Sequence, residues 1–317
     1  MLSLIRNYRA LKRAGVMGMN RRNGDVIERN NDRRFYKLVD DKLESKRLAE
    51  AAGISVPELY GAISMQHQIR DLPVMLAGRQ DFVVKPVNGS GGNGVLVIDG
   101  VRNGRYRKAS GVLMSDDAFY HHVSNILSGM YSLGGHPDAA MFEYRVQISP
   151  LFEHVSYRGV PDIRTVVYRG YPVMAMVRLP TLASDGKANL HQGAVGAGVN
   201  ITTGETLGGV LHDGVVDEHP DTGQTIRGIC IPDWESLLVL AARCYDISHL
   251  GYLGVDFVLD KTHGPMMLEM NARPGLNVQI ANGAGLLPRL QRIEPLSAEP
   301  RDAHQRVALA RELFSSR

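Results

Sequence analysis

The sequence predicts a mixed α+β fold built of two lobes, and three observations predict it. Its 317 residues suffice for about two domains, or one domain of two lobes with a core in each. Short β-rich runs alternate with stretches of helical spacing. Two pairs of such runs are joined by tight turns, one Gly-rich at residues 88–94 and the other at residues 261–264.

Along the chain, residues 1–15 interleave basic side chains with Leu2, Leu4, Ile5, Tyr8 and Leu11. No continuous apolar core or small-residue cleavage site follows, so the segment does not read as a secretion signal but as a helix docked on the body of its own fold. Residues 40–53 predict a helix, with Leu43, Leu48, Ala49 and Ala52 near helical spacing and Gly53 at the C-terminal cap. A strand at 81–87 and a second at 95–98, closing at Asp99-Gly100, flank the Gly-rich turn. Residues 115–133 predict a helix whose positive end carries Asp116 and Asp117. Strand character returns at 140–148 and 165–178. Residues 180–209, rich in Gly, Ala, Ser, Thr and Asn without a clear period, read as a ligand-facing loop. Pro232 begins a helix through Leu237, Leu238, Ala241, Cys244 and Ile247 that ends near Gly251. Two strands, 254–260 and 265–270, follow.

Composition excludes several classes. Hydrophobic residues at 44% and charged residues at 22% match an ordinary globular chain. A net charge of +3 is too small for a dedicated nucleic-acid binder. No apolar run reaches the ~20 residues of a membrane span. Cys230 and Cys244 lack a partner motif and read as reduced thiols packed in a core, which suits the cytoplasm.

The segment FVVKPVNGSGGNGV sets Lys85 in a strand just before Gly89, Ser90, Gly91, Gly92, Asn93 and Gly94. Glycines let backbone N–H groups approach anionic oxygens, and a lysine supplies a point charge to the same phosphates. The segment also satisfies G-x-G-x-x-G, but that fingerprint opens a helix, whereas VLVIDG reads as a strand. Val95 after Gly94 rules out a Walker-type loop. A hairpin tip folding over a nucleotide is the functional reading, and a plain hairpin is the alternative. In GVDFVLDKTHGPMMLEMNARPG, Asp256 and Glu269 fall on neighbouring strands and Asn271 shares the face of Glu269. Two carboxylates and an amide oxygen are the hard donors Mg2+ accepts while bridging phosphates. Arg273 follows them. Between the two segments stand Glu143 with Tyr144, Arg145 and Val146, then Asp162, Arg164, Arg178, Lys187, Asn189 and His191.

This order of features, a helix opening with Asp41-Lys42, then FVVKP with its Gly-rich loop, FEYRV, DIR, a downstream Arg, NLH and D…E-M-N, resembles the ATP-grasp superfamily over about residues 40–280. Within it the spacing is similar to the α-L-glutamate ligase-like branch related to the ribosomal-protein glutamate ligase. The resemblance implies two α+β lobes clamping ATP: a small lobe at 40–141, a large lobe at 142–290, a basic extension at 1–39 in place of a full preceding domain, and a helical segment at 291–317. It implies that Lys42, Lys85, the loop 89–94, Asp162 and Lys187 contact ATP, with residues 143–146 as the adenine hinge. Asp256, Glu269 and Asn271 are implied as ligands of Mg2+ or Mn2+. Arg164, Arg178, Arg273, Asn189 and His191 are implied to line the acyl-phosphate site. The expected activity is ADP-forming amide ligation, with an amino acid such as glutamate, or an acidic peptide or protein tail, as partner, no nucleic acid, and a homo-oligomer left open. A non-catalytic nucleotide-binding regulator and an ATP-grasp phosphotransferase are the alternatives. Two departures from the pattern concern the substrate: the insertion PLFEHVSYRGVP, and Lys187 where an arginine is usual.

Overall fold

The computed structural model describes residues 9–89, 91–102 and 104–315. Two antiparallel sheets organise them. The first has the order β1-β6-β2-β3-β4-β5, from Leu59–Ile63 (β1), Phe82–Pro86 (β2), Leu96–Arg102 (β3), Arg105–Lys108 (β4), Leu113–Ser115 (β5) and Ala140–Glu143 (β6). The second has the order β11-β10-β9-β8-β7-β12-β13, from Asp162–Tyr168 (β7), Tyr171–Leu179 (β8), Val195–Val199 (β9), Thr206–Leu211 (β10), Gly214–Val216 (β11), Tyr252–Asp260 (β12) and Gly264–Asn271 (β13). The mixed α+β architecture is therefore as expected.

Each sheet needs helices because its strands are apolar. Helix α1, Lys42–Ala51, starts at Asp41, whose carboxylate accepts from the N–H groups of Leu43 and Glu44, and Gly53 just past its end has φ +67°. Helix α2, Asp116–Leu127, starts at Ser115 and ends six residues short of the expected end, as Gly129 turns with φ +84°. Phe119, Val123 and Ile126 from α2 bury against Phe82, Val84 and Ile98 of the first sheet. Helix α3, Trp234–Ser248, covers one face of the second sheet through Leu237, Leu238, Ala241 and Cys244. The other face meets Val278, Leu286, Leu290 and Ile293 together with Met17, Val26 and Ile27. The expected docking does not hold over residues 9–14, which are exposed; the chain docks only from Gly15, whose carbonyl accepts from the Leu287 N–H at 3.2 Å, and Met17, whose N–H donates to Gln279 Oε1 at 2.8 Å. Residues 1–8 of the expected helix lie outside the described residues.

Several expectations are corrected. β3 runs through Asp99-Gly100, with a register shift between Ile98 and Gly100, rather than closing there. The expected strand 140–148 stops at Glu143, which makes β6 end two residues past the expected lobe boundary. The expected strand 165–178 is two strands, folded back at Arg169-Gly170. The expected loop 180–209 contains β9 and the start of β10. The cause is steric: a Cβ on Gly198 would sit 2.4 Å from the Ala281 carbonyl oxygen and one on Gly196 2.7 Å from Leu190, so glycine lets the chain segments covering β9 approach its backbone. α3 ends at Ser248, with His249 in left-handed backbone, before Gly251. Cys244 is buried, but Cys230 is exposed.

Candidate active site

β2 and β3 pair from Phe82 opposite Ile98 to Val84 opposite Leu96, so the Gly-rich loop is the tip of this hairpin. Left-handed backbone at Gly91, Gly92 and Gly94 (φ +65°, +78° and +75°) explains the glycines, and a Cβ on Gly94 would also strike Tyr131 at 2.6 Å. The loop's base is fixed by Asp138, whose carboxylate accepts from the Asn88 backbone at 3.1 Å and the Asn88 side chain at 2.8 Å. Its far end is tied by His122 Nε2, 3.0 Å from the Gly94 oxygen. Ser90, expected to contact ATP, lies outside the described residues.

Two lysines one helical turn apart on α1 reach this region. Lys42 Nζ donates to the carbonyls of Val87, at 3.2 Å, and Gly89. Lys46 Nζ donates to the Pro57 carbonyl and lies 3.0 Å from Glu143 Oε2, off hydrogen-bonding geometry, while Lys85 pairs with Glu143 Oε1. Glu143 is therefore buried between two ammonium groups at the floor of the loop. Burial lowers the pKa of Lys42; Glu269 opposes that shift and Lys85 adds to it. Burial likewise lowers that of Lys46, against the pull of Glu143.

After β6 the backbone of residues 144–147 leaves the ladder and passes to the second sheet. Asp260 fastens this crossing, accepting from Tyr144 Oη at 3.1 Å and the Gln147 N–H at 2.8 Å. Val146 packs there with Val258 and Met266, and Tyr144, Val160 and Leu268 join the cluster. Arg145 turns aside to Asp81, 3.4 Å away.

Strand register assembles the charged centre. β7 carries Asp162 and Arg164 two residues apart and so on one face. Pairing sets Asp162 opposite Arg178 of β8, Arg164 opposite Asp256 of β12, and Asp256 opposite Glu269 of β13. Arg164 grips Asp256 with two hydrogen bonds of 2.7 and 2.5 Å. Arg178 does the same to Asp162 and also donates to Asp256 at 2.6 Å. Burial pushes the Asp162 carboxyl up to about 6, against the Arg178 guanidinium. Burial acts on Asp256 too, but Arg164 and Arg178 outweigh it and hold that carboxyl down to about 2. Glu269 is partly exposed, 3.9 Å from Arg164 Nη2.

The remaining expected residues divide. Asn189 reaches the loop, donating to the Gly91 carbonyl at 3.3 Å, and a Cβ on Gly92 would lie 3.9 Å from Lys187 Cδ, so this segment meets the hairpin tip. His191 is exposed beside it and donates its N–H to Asn189 Oδ1. Arg273 is directed elsewhere: its guanidinium pairs with Asp40 at 3.2 Å and lies 4.6 Å from the Tyr36 ring centre, while its N–H donates to Asn271 Oδ1 at 2.8 Å. Sequence reasoning missed Lys46, Asp138 and Asp260. Only Lys46 left a signal, its i,i+4 spacing from Lys42.

The donor set suits a hard divalent cation. Glu269 and Asn271 present oxygens from one strand, Asp256 faces Glu269 across the ladder, and Glu269 keeps its carboxylate partly open to water. Asn271 retains one lone pair beyond the bond from Arg273.

A family model described as sugar-transfer associated ATP-grasp matches residues 21–295. The chain is 28% identical over 236 residues to a probable alpha-L-glutamate ligase of Maridesulfovibrio salexigens, covering 74% of this chain and 56% of that protein. It is 27% identical over 251 residues to probable alpha-L-glutamate ligase 1 of Hahella chejuensis, covering 78% and 61%. The alignment thus spans less than two thirds of these relatives. Among solved structures, D-alanine–D-alanine ligase of Bacillus anthracis is similar at 15% identity and a TM-score of 0.46, over 83% of this chain and 68% of that one. Among the described residues, no helix is long and apolar enough to cross a membrane.

Proposed function

Because the chain belongs to the sugar-transfer associated ATP-grasp family, we propose that it is an ATP- and Mg2+-dependent ligase that activates a carboxylate as an acyl phosphate and joins it to an amine. One observation carries the reading. Lys42, at the base of the Gly-rich hairpin, lies within electrostatic reach of Glu269, which is 3.9 Å from Arg164, so the hairpin and the arginine row act on one polar region.

In this reading the lobes are residues 40–143 and 144–290, the expected boundary moved to the end of β6, and the hinge at residues 143–146 offers main-chain groups and the Val146 side chain to the adenine. The backbone of Gly91 to Gly94 and the Lys42 and Lys85 ammoniums hold the phosphates. Asp256, Glu269 and Asn271 would hold Mg2+, which when bound neutralises charge between the terminal phosphates. Arg164 and Arg178 orient the substrate carboxylate, whose oxygen attacks the γ-phosphorus as ADP leaves. The amine nitrogen then attacks the acyl carbon and phosphate departs. Alignment and charge neutralisation do most of the work. Arg273 sets the Asn271 amide through its own N–H and pairs with Asp40, which also acts on Lys42. Asp162 sets Arg178 rather than touching nucleotide.

Two arginines at the centre favour an acidic partner, and the relatives named as probable alpha-L-glutamate ligases favour glutamate or a Glu-containing peptide. The test is ADP release over a panel of amino acids and acidic peptides, with mass spectrometry of the product. An amide adduct with stoichiometric ADP supports the ligase. A phosphorylated product without amide identifies a phosphotransferase, and ATP binding without turnover across the panel identifies a regulator.

A further inference from the structure

A polar cavity of about 340 Å³ opens at the far end of the second sheet. Arg29, Asn30, Arg169, Tyr245, His249 and Ser297 line it with Gly251, and among the described residues no carboxylate does. Six residues of β7 separate it from Asp162, a span of roughly 20 Å at about 3.3 Å per residue, so it is separate from the centre above.

The backbone gives the reason to ask what it holds. Arg169 is the first residue of the two-residue β7–β8 loop, with φ +50° followed by Gly170 at +86°. Such loops favour Asn-Gly or Gly-Gly, because a side chain in left-handed backbone is strained. His249 ends α3 at φ +56°, where glycine is the usual residue. Both positions therefore carry a donor side chain where a smaller residue would fold more easily, and both line one cavity. Strain held at two converging residues points to function.

The Arg169 guanidinium is held ready. Its Nε donates to Asn30 Oδ1 at 2.9 Å and its Nη1 to Ser297 Oγ at 2.9 Å, leaving three N–H groups unused. Its N–H is anchored on the Gly251 carbonyl at 2.7 Å. Among the described residues Arg29 is tied only to Asp25, 3.7 Å away with both side chains largely exposed, an attachment too weak to hold it from a ligand. Donors thus come from three separate segments. That arrangement suits a tetrahedral oxyanion approached from several sides, whereas a planar carboxylate is satisfied by one guanidinium fork.

We infer that this cavity is a binding site for a phosphoryl group, presented by a free phosphate compound or a lipid headgroup. The inference is independent of the proposed ligation. Inorganic phosphate is the first probe, read by thermal melts and amide NMR at ionic strength held constant with NaCl. Parent protein is expected to bind it and to shift the amides of Gly170 and Gly251. His249→Gly and Arg169→Asn place residues that accept left-handed backbone, so they keep the fold, although His249→Gly also gives up the packing of the His249 ring on Phe35, 5.0 Å between ring centres. Phosphate affinity should fall about tenfold in each and in Arg29→Ala, the loss of one charge-assisted hydrogen bond. A parent without a response at Gly170 and Gly251 overturns the site, and phosphate binding without that response would assign binding to the Gly-rich loop; variants that bind phosphate as tightly as the parent overturn it as well. Phosphatidic acid vesicles, co-sedimented against phosphatidylcholine vesicles, separate the sources. Sedimentation lost in His249→Gly assigns a lipid headgroup, and binding of soluble phosphate alone assigns a free compound.

Discussion

Arg178 donates to Asp162 and Asp256 at once, from β8 across β7 to β12. That single guanidinium joins a carboxyl shared with no other arginine to one already gripped by Arg164. The centre is therefore two arginines against two aspartates in a buried row, with Glu269 at its open edge. Any group that takes Asp256 as a ligand must loosen both arginines, and loosened arginines are what a carboxylate substrate needs.

Asp256→Asn should destabilise the fold strongly. The change leaves Arg164 with only the partly exposed Glu269, 3.9 Å away, and Arg178 with only Asp162. Removing one partner of a buried ion pair costs about 3–5 kcal/mol. Urea unfolding of parent and variant measures it, and a loss under about 1 kcal/mol would mean that water already screens the arginines.

The same row makes a prediction in pH. Asp256, down to about 2 from an ordinary 3.8, binds fewer protons folded than unfolded, so its contribution grows as pH rises from about 2 to 3.8. Asp162, up to about 6, binds more protons folded, so its contribution falls from pH 3.8 to about 6. Together they give a maximum near pH 4 and offset one another at neutrality. Unfolding free energies of parent and Asp162→Asn across pH 3 to 7 isolate the second limb: the parent should lose stability relative to the variant between pH 4 and 6. A flat difference would place Asp162 in water.

The sequence carried the local part of this site and little of its pairing. Glycines at 91, 92 and 94 declare left-handed backbone, and period two puts Glu269 and Asn271 on one face. Asp41 announces the start of α1. Which arginine meets which aspartate depends on the register between strands distant in sequence, and nothing local encodes it. Where Arg273 points is of the same kind: it sits two residues after Asn271, and its guanidinium meets Asp40 and Tyr36, which only the tertiary fold brings to it. Gly196 and Gly198 read as loop because the missing side chains that weaken a strand signal are what let the neighbouring chain approach β9.

Lys85→Ala should weaken Mg-ATP binding about tenfold or more, the loss of a charge-assisted contact to phosphate. Lys46→Ala should change it much less, since Lys46 serves Glu143 and the Pro57 carbonyl instead of the loop. Calorimetry on both variants separates the roles. Equal affinities for Lys85→Ala and parent would move the phosphate site away from this hairpin.

Glu269→Gln should abolish turnover while sparing the fold, which Asp256→Asn should not spare. Both residues are proposed metal ligands on paired strands, but their surroundings differ. Asp256 is buried and answers two arginines, whereas Glu269 is partly exposed and only approached by Arg164 at 3.9 Å. Replacing its carboxylate by an amide therefore leaves no buried charge unpaired, and the thermal midpoint without Mg2+ should hold. Function should not. An amide offers a neutral oxygen, so the cation is held more loosely where phosphate oxygens must be aligned. Losing one such contact in the transition state costs on the order of 3 kcal/mol, roughly a hundredfold in rate. Mg2+ itself gives a second readout: the midpoint should rise with millimolar Mg2+ in the parent and much less in the variant, because a ligand bound only by the folded state stabilises it. Near-parental ADP release, or a variant that no longer melts cooperatively, would make Glu269 structural and place the metal elsewhere.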